Sequence, residues 1–251
     1  MVLVRYILLF LCLSCEAQLP VVPFVTQNFA GDIPASLGGM AFRLRSADLV
    51  KSNTVNTWVD EVAGRTYTNN AATAPTNSWN LGVFFKSGNF LSNNIGVKPE
   101  WIWQPTQQVF IAYQAISPAN YGSIVGSGSA EFLIGYSTAP NNFGNVAGGP
   151  QVKWINSYPV SGVNYAIVSV GGAAPVQAYS NGVAALTFTA TGDGFSWHLL
   201  GANQQGLADT YQGYVKEIIV WTNQTAFTFS PYAGSQVSNL YFYATNQGYL
   251  P

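Results

Sequence analysis

The sequence is short of charge, histidine and cysteine, and each shortage removes a class of function. Only 8% of the 251 residues are charged, with 9 basic against 10 acidic side chains and a net charge of −1. A chain so neutral offers no basic surface to displace counterions from nucleic acid, so nucleic-acid binding is not expected. One histidine, His198, and two cysteines, Cys12 and Cys15, leave no ligand set for zinc. No GxSxG-like elbow accompanies His198, so a Ser-His-acid triad is not expected either. Long apolar runs are scarce as well: Tyr6–Cys15 is one, too short to span a bilayer in comfort.

That run follows Arg5 and precedes the small residues of Cys15-Glu16-Ala17, the pattern of a secretory signal peptide cut after Ala17. We expect a signal peptide over 1–17, export to a secreted, extracellular location, and no membrane insertion once the segment is removed. Both cysteines leave with it, so the exported chain holds together by packing, without disulfides. Residues 18–39 are rich in proline and read as an extended N-terminal arm.

What the chain has in plenty is Asn, Gln, Ser, Thr, Gly and aromatic residues, the last at 14%. From Phe42 onward, short β-rich runs alternate with Gly, Asn, Pro and Ser, the spacing of an all-β sandwich. The expected strands are Ala41–Arg45, Thr57–Asp60, Val83–Lys86, Val109–Ile116, Ser123–Ser127, Glu131–Tyr136, Val152–Asn156, Tyr165–Val170, Val176–Ser180, Val183–Thr187, His198–Leu200 and Tyr214–Trp221. Asn181-Gly182 accepts positive φ at both positions and closes a type I′ hairpin. Val237, Leu240, Tyr241 and Ala244 fall on one helical stripe, which predicts a short C-terminal helix starting near Ser235 and stopping at Gly248.

Four stretches resemble the laminin-G-like branch of the concanavalin A-like lectin/glucanase superfamily. Phe42-Arg43-Leu44-Arg45-Ser46-Ala47-Asp48-Leu49 resembles the opening strand and its "ADxL" turn. Asn56–Arg65 resembles the "VxxWxDxSGxG" segment through Trp58 and Asp60, with Arg65 a departure. Gln177–Val183 resembles the "vxlYvNGv" hairpin, carried by Asn181 and Gly182. Tyr211–Trp221 resembles "fxGdiaEiivy" through Gly213 and Glu217. The resemblance implies a two-sheet antiparallel jelly-roll sandwich over 40–251, in which Asp60 and Glu217 tie down backbone or turns.

Function is weighed on the acids and the aromatic rings. Glucanases of that superfamily carry an ExDxxE strand motif, which is absent here. The acids stand mostly apart in sequence, and the adjacent pair Asp60-Glu61 would point to opposite faces of a strand. No enzyme activity is therefore expected. No cofactor or metal is expected: some members of the family bind calcium at the sandwich rim, but the acids do not cluster. Trp58, Trp197 and Trp221 read as core, and the alternating Trp101 and Trp103 as core before platform. Tyr136 and Trp154, with Asn142 and Asn156 near them in sequence, are the candidate ligand-binding cluster, since rings take the C–H face of a sugar and amides its hydroxyls. Asn223, in Asn223-Gln224-Thr225, is a candidate glycosylation site.

The expectation is thus a secreted, non-catalytic module that binds carbohydrate or a glycosylated surface. The rival is a structural or adhesion subunit acting through protein partners. A third reading, a divergent glycoside hydrolase, requires two carboxylates within about 10 Å of one another.

Overall fold

β7 (Gln108–Ala115) shows how the sequence writes the fold. Val109, Ile111, Tyr113 and Ala115 enter one buried cluster, while Phe110 and Ala112 enter another. Alternate residues of a strand point to opposite faces, so this strand lies in a sheet covered on both sides.

The computed structural model describes residues 40–50, 53–78, 80–86, 88–93, 108–116, 121–126, 132–137, 142–145, 153–155, 161–170, 176–181, 183–188, 199–202, 210–221 and 236–250. Around β7 in the first sheet stand β1 (Met40–Arg45), β4 (Thr76–Ser78), β5 (Gly82–Phe85), β12 (Asn164–Val170), β13 (Val176–Ser180), β14 (Val183–Phe188) and β16 (Gly213–Trp221). The second sheet holds β2 (Thr57–Val59), β3 (Thr66–Asn69), β6 (Leu91–Ser92), β8 (Tyr121–Gly126), β9 (Phe132–Ser137), β10 (Asn142–Asn145), β11 (Lys153–Ile155) and β15 (Leu199–Leu200). The first sheet runs β14-β13-β12-β7-β16-β5-β4, with β1 also on β16; the second runs β11-β10-β9-β8-β15-β6-β3-β2. Every strand pairing in both is antiparallel. The chain is an all-β, two-sheet antiparallel sandwich with one short C-terminal helix, α1 (Gln236–Asn246).

Between the sheets, Phe42, Leu44, Val83, Phe85, Ile218 and Val220 meet Trp58, Tyr67, Leu91, Ile124 and Leu200. On the outer face of the first sheet, Val237, Leu240, Tyr243 and Ala244 of α1 close over Phe110, Ala112, Ile219 and Trp221. Val237, Leu240 and Ala244 belong to the stripe read from the sequence, and Tyr241 lies at its half-buried margin. Among the described residues no helix is long and apolar enough to cross a membrane.

β16 carries one irregularity that matters for the site. Val215 pairs with Tyr113, yet Glu217 pairs with the next residue of β7, Ala112, which leaves Lys216 as an extra residue. This bulge reverses the alternation. Val215 and Ile218 both face the inter-sheet core, and Glu217 turns outward beneath α1.

Candidate functional site

Because Phe42 and Leu44 point into the sandwich, Arg43 and Arg45 project from the outer face of β1, where they pair in register with Ile219 and Glu217. Immediately after β1, the single turn of 3-10 helix Ser46–Asp48 folds back. It brings Asp48 onto Arg45 as a bidentate pair, Nε to Oδ2 at 2.8 Å and Nη2 to Oδ1 at 2.7 Å.

Glu61 arrives from the second sheet by way of Asp60. Asp60 is fully buried and accepts the backbone N–H of Arg43 at 2.9 Å, of Val62 at 3.0 Å and of Ala63 at 3.2 Å. Its carboxylate thereby builds the turn that follows β2 and fastens it to β1. Glu61 extends that link, its N–H donating to Arg43 O at 2.9 Å. The Glu61 carboxyl then lies 3.3 Å from Arg45 Nε and 3.4 Å from Arg43 Nη1, so it shares Arg45 with Asp48.

Two carboxyl groups thus share one place and are driven apart in acidity. Burial, then the hydrogen bond with Asp48, pushes the Glu61 carboxyl up to about 7. Burial opposes the ionisation of Asp48 too, but the hydrogen bonds from Glu61 and Arg45 and the charges of Arg45 and Arg43 outweigh it and hold Asp48 below its ordinary value. The Asp48 and Glu61 side chains keep 41% and 29% of their surface open to solvent, so the pair is reachable. Such a pair holds one proton near neutrality next to a fixed anion, the equipment of general acid–base chemistry.

Beneath it lies a second, sealed layer. Arg43 Nε donates to Glu217 Oε1 at 2.8 Å, Tyr243 Oη donates to Glu217 Oε2 at 2.8 Å, and Arg43 Nη2 donates to Tyr243 Oη at 3.0 Å. Burial pushes the Glu217 carboxyl up and Arg43 pulls it back. Glu217 and Tyr243 are fully buried, so they position Arg43 and do not meet a ligand.

The residues singled out from the sequence are spread widely. Trp58 is buried, its Nε1 donating to Arg45 O at 3.4 Å. Asn181 has a φ of 50°, and its Oδ1 accepts the Ala166 N–H at 2.8 Å. Gly213 lies where a Cβ would come 2.2 Å from Gln114 O. Tyr136 on β9 pairs with Phe143 of β10, and Trp154 on β11 pairs with Gly144, the next register position, so the two occupy adjacent rows. Asn142 pairs with Ser137. Asn156, Gly182, Asn223, Trp101, Trp103, Trp197, His198 and residues 1–39 lie outside the described residues. Among the described residues no group of three or more His, Cys, Asp or Glu side chains is set to hold a metal ion.

Arg43, Arg45, Asp48 and Glu61 are not marked as a group by the sequence. The local signal for them is Arg45 three residues before Asp48, in the turn that follows β1.

Comparison with known proteins places the fold. No family model and no curated protein matches the chain. The sialidase of Trypanosoma rangeli in complex with sialic acid superposes with a TM-score of 0.59 at 12% identity, over 85% of this chain and 34% of that one. A mutant of that sialidase displaying trans-sialidase activity gives 0.57 at 13%, over 86% and 34%. Domain 4 of AbnA, a GH43 extracellular arabinanase from Geobacillus stearothermophilus, in complex with arabinotriose, gives 0.51 at 13%, over 80% of this chain and 98% of that one. The chain therefore spans about a third of the sialidases' length and nearly all of the arabinanase domain. At these identities the likeness is one of fold, and it defines the class as a β-sandwich.

One expectation is corrected by these findings. The sequence argued for a non-catalytic binding or adhesion module and against an enzyme, on the ground that its acids stand apart. The solved structures that share the fold come from glycoside hydrolases. The acids are also not apart: the β1 turn and the Asp60 turn carry Asp48 and Glu61 from different sheets onto the same Arg45 guanidinium.

Proposed function

We propose that the chain acts on carbohydrate as a glycoside hydrolase or a unit of one, with Glu61 as proton donor and Asp48 as its ionised partner. The observation that carries this reading is that two solvent-accessible carboxyls from different sheets meet on one guanidinium, Asp48 at 2.7–2.8 Å and Glu61 at 3.3 Å from Arg45; burial pushes Glu61 up, and Arg45 helps hold Asp48 below its ordinary value. Two-carboxylate hydrolysis needs those two states: the acid protonates the leaving oxygen as the C–O bond breaks, and the anion takes a proton from the water that adds to the sugar carbon. Once the product has left, the proton gained by Asp48 returns to Glu61, which resets the pair. An inverting reaction places the glycosidic oxygen and a water between carboxyls roughly 6.5–9.5 Å apart, and this is the arrangement the proposal requires of the bound state.

Two further elements belong to this proposal. Export through the 1–17 segment would place the chain where extracellular glycans are met. The order of the four motifs supports membership of the laminin-G-like branch of the concanavalin A-like superfamily. A carbohydrate partner is supported by the fold shared with an arabinanase domain in complex with arabinotriose and a sialidase in complex with sialic acid.

The test is release of reducing ends from arabino-oligosaccharides and sialyl-oligosaccharides by purified chain 18–251. Turnover should fall by about a hundredfold or more in Glu61→Gln, the scale of a lost general acid, and should fall in Asp48→Asn as well. No release from either class, or release undiminished in Glu61→Gln, overturns the reading.

A further inference from the structure

A row of side chains crosses the outer face of the first sheet beside the carboxyl pair. Asn164 of β12 pairs with Gln114 of β7, Gln114 with Tyr214 of β16, Tyr214 with Phe84 of β5, and Phe84 with Thr76 of β4. Their strand neighbours Tyr113, Val215, Val83 and Phe85 belong to the inter-sheet core, so this row faces the other way. Asn164, Gln114, Tyr214 and Phe84 are half-buried, and Thr76 is exposed. The Phe84 and Tyr214 rings sit 4.9 Å apart at 37°, a nearly continuous aromatic surface.

The amides next to the rings are not free to flip, and buried Lys216 is the reason. Its Nζ donates to Asn164 Oδ1 at 3.0 Å and to Tyr249 O at 3.4 Å. An ammonium has only hydrogens to offer, so Asn164 must present its oxygen to Lys216. Gln114 Nε2 donates to the same oxygen at 3.1 Å and to Gly162 O at 2.7 Å. Two atoms remain, Asn164 Nδ2 as donor and Gln114 Oε1 as acceptor, neither of which has a hydrogen-bond partner among the described residues. The bulge at Lys216 thereby fixes the hydrogen-bonding sense of the surface outside it.

We infer that Phe84, Tyr214, Gln114 and Asn164 form a sugar-binding platform, on which one pyranose or furanose ring stacks while adjacent hydroxyls bridge the Gln114 oxygen and the Asn164 amide. A sugar has an apolar C–H face for the rings and hydroxyls that donate and accept at once, which suits a fixed donor beside a fixed acceptor. The platform also has a direction. The next outward-facing row is Ala112–Glu217–Arg45, two residues along β7 or about 6.7 Å away. Arg45 in that row holds Asp48 and Glu61. A chain of sugars lying on the rings thus leads toward the carboxyl pair.

The inference rests on the carbohydrate reading, and one set of variants separates the two. Arabinotriose binding to chain 18–251 is measured by calorimetry alongside turnover. Phe84→Ala and Tyr214→Ala should each weaken the affinity about tenfold, the order of one ring contact. Asn164→Asp should weaken it similarly by replacing the outward donor with an acceptor, and its melting temperature should hold or rise because the new carboxylate faces Lys216. Glu61→Gln should keep the affinity while losing turnover. No saturable binding by the wild-type chain, or affinity unchanged in all three platform variants, sinks the platform even if turnover depends on Glu61. Ring-dependent binding with turnover indifferent to Glu61→Gln supports the platform and sinks the hydrolytic pair.

Discussion

Glu61 is the proton donor of the proposed site, and its protonation has a consequence for stability that needs no substrate. Its carboxyl titrates near 7 in the folded chain against 4.5 ordinarily. Between those values the folded chain keeps a proton that the unfolded chain has released, so this group's contribution to stability declines as pH rises across the window. Asp48 has the opposite sense: its folded value lies below the ordinary 3.8, so its contribution is present above that pH and is lost as pH falls further. Denaturant midpoints measured from pH 4.5 to 7.5 should therefore drift downward with pH in the wild-type chain, and the drift should flatten in Glu61→Gln, which imitates the protonated acid. An identical slope in the variant would mean that Glu61 titrates as an ordinary carboxylate. None of this could be read from composition, since Asp48 and Glu61 are separated along the chain by a turn, a strand and a second turn. Asp60 beside Glu61 was expected to tie a turn; that the turn it builds would deliver its neighbour to Arg45 depends on the docking of one sheet against the other.

At the scale of elements, β16 does most of the positioning. Its bulge at Lys216 turns Glu217 outward, where Arg43 and Tyr243 meet it and fix α1 to the sheet. Its first residue lies against β7 so closely that only glycine fits, with a Cβ at Gly213 falling 2.2 Å from Gln114 O and 2.5 Å from Tyr211 Oη. Gly213→Ala should cost about 1–3 kcal/mol as an overpacked contact, and it should disturb Gln114 with it. Tyr243→Phe should cost about 1–3 kcal/mol by leaving buried Glu217 short of a donor, with the loss visible in thermal unfolding. Variants that unfold like wild type would show that these contacts are loose. The longer strands were legible because β-branched and aromatic residues alternate in them, as in β7 and β16. β3, β4, β6 and β10 were missed for a physical reason: segments such as Thr76-Asn77-Ser78 and Leu91-Ser92 are too short and polar to show a period, and they pair because neighbouring strands offer open edges. The helical stripe was legible for the converse reason: Val237, Leu240, Tyr241 and Ala244 repeat at i, i+3, i+4 and i+7 through two turns of a helix packed on the sheet.

The whole molecule is a sandwich whose two faces of the first sheet have separate duties. The inner face packs against the second sheet; the outer face carries α1 at one end and, beyond it, the aromatic row and the carboxyl pair. Fold class was legible from the texture of the sequence. The proposed site was not, because its residues assemble from the strand β1, the turn behind it and a turn entering from the other sheet. The placement of the sugar is tested most directly by a crystal structure of chain 18–251 Glu61→Gln with arabinotriose bound. The expected result is a sugar ring stacked on Phe84 and Tyr214, with the oligosaccharide running toward Asp48 and residue 61. A sugar seated on the second sheet, around Tyr136 and Trp154 and away from Asp48, would contradict it.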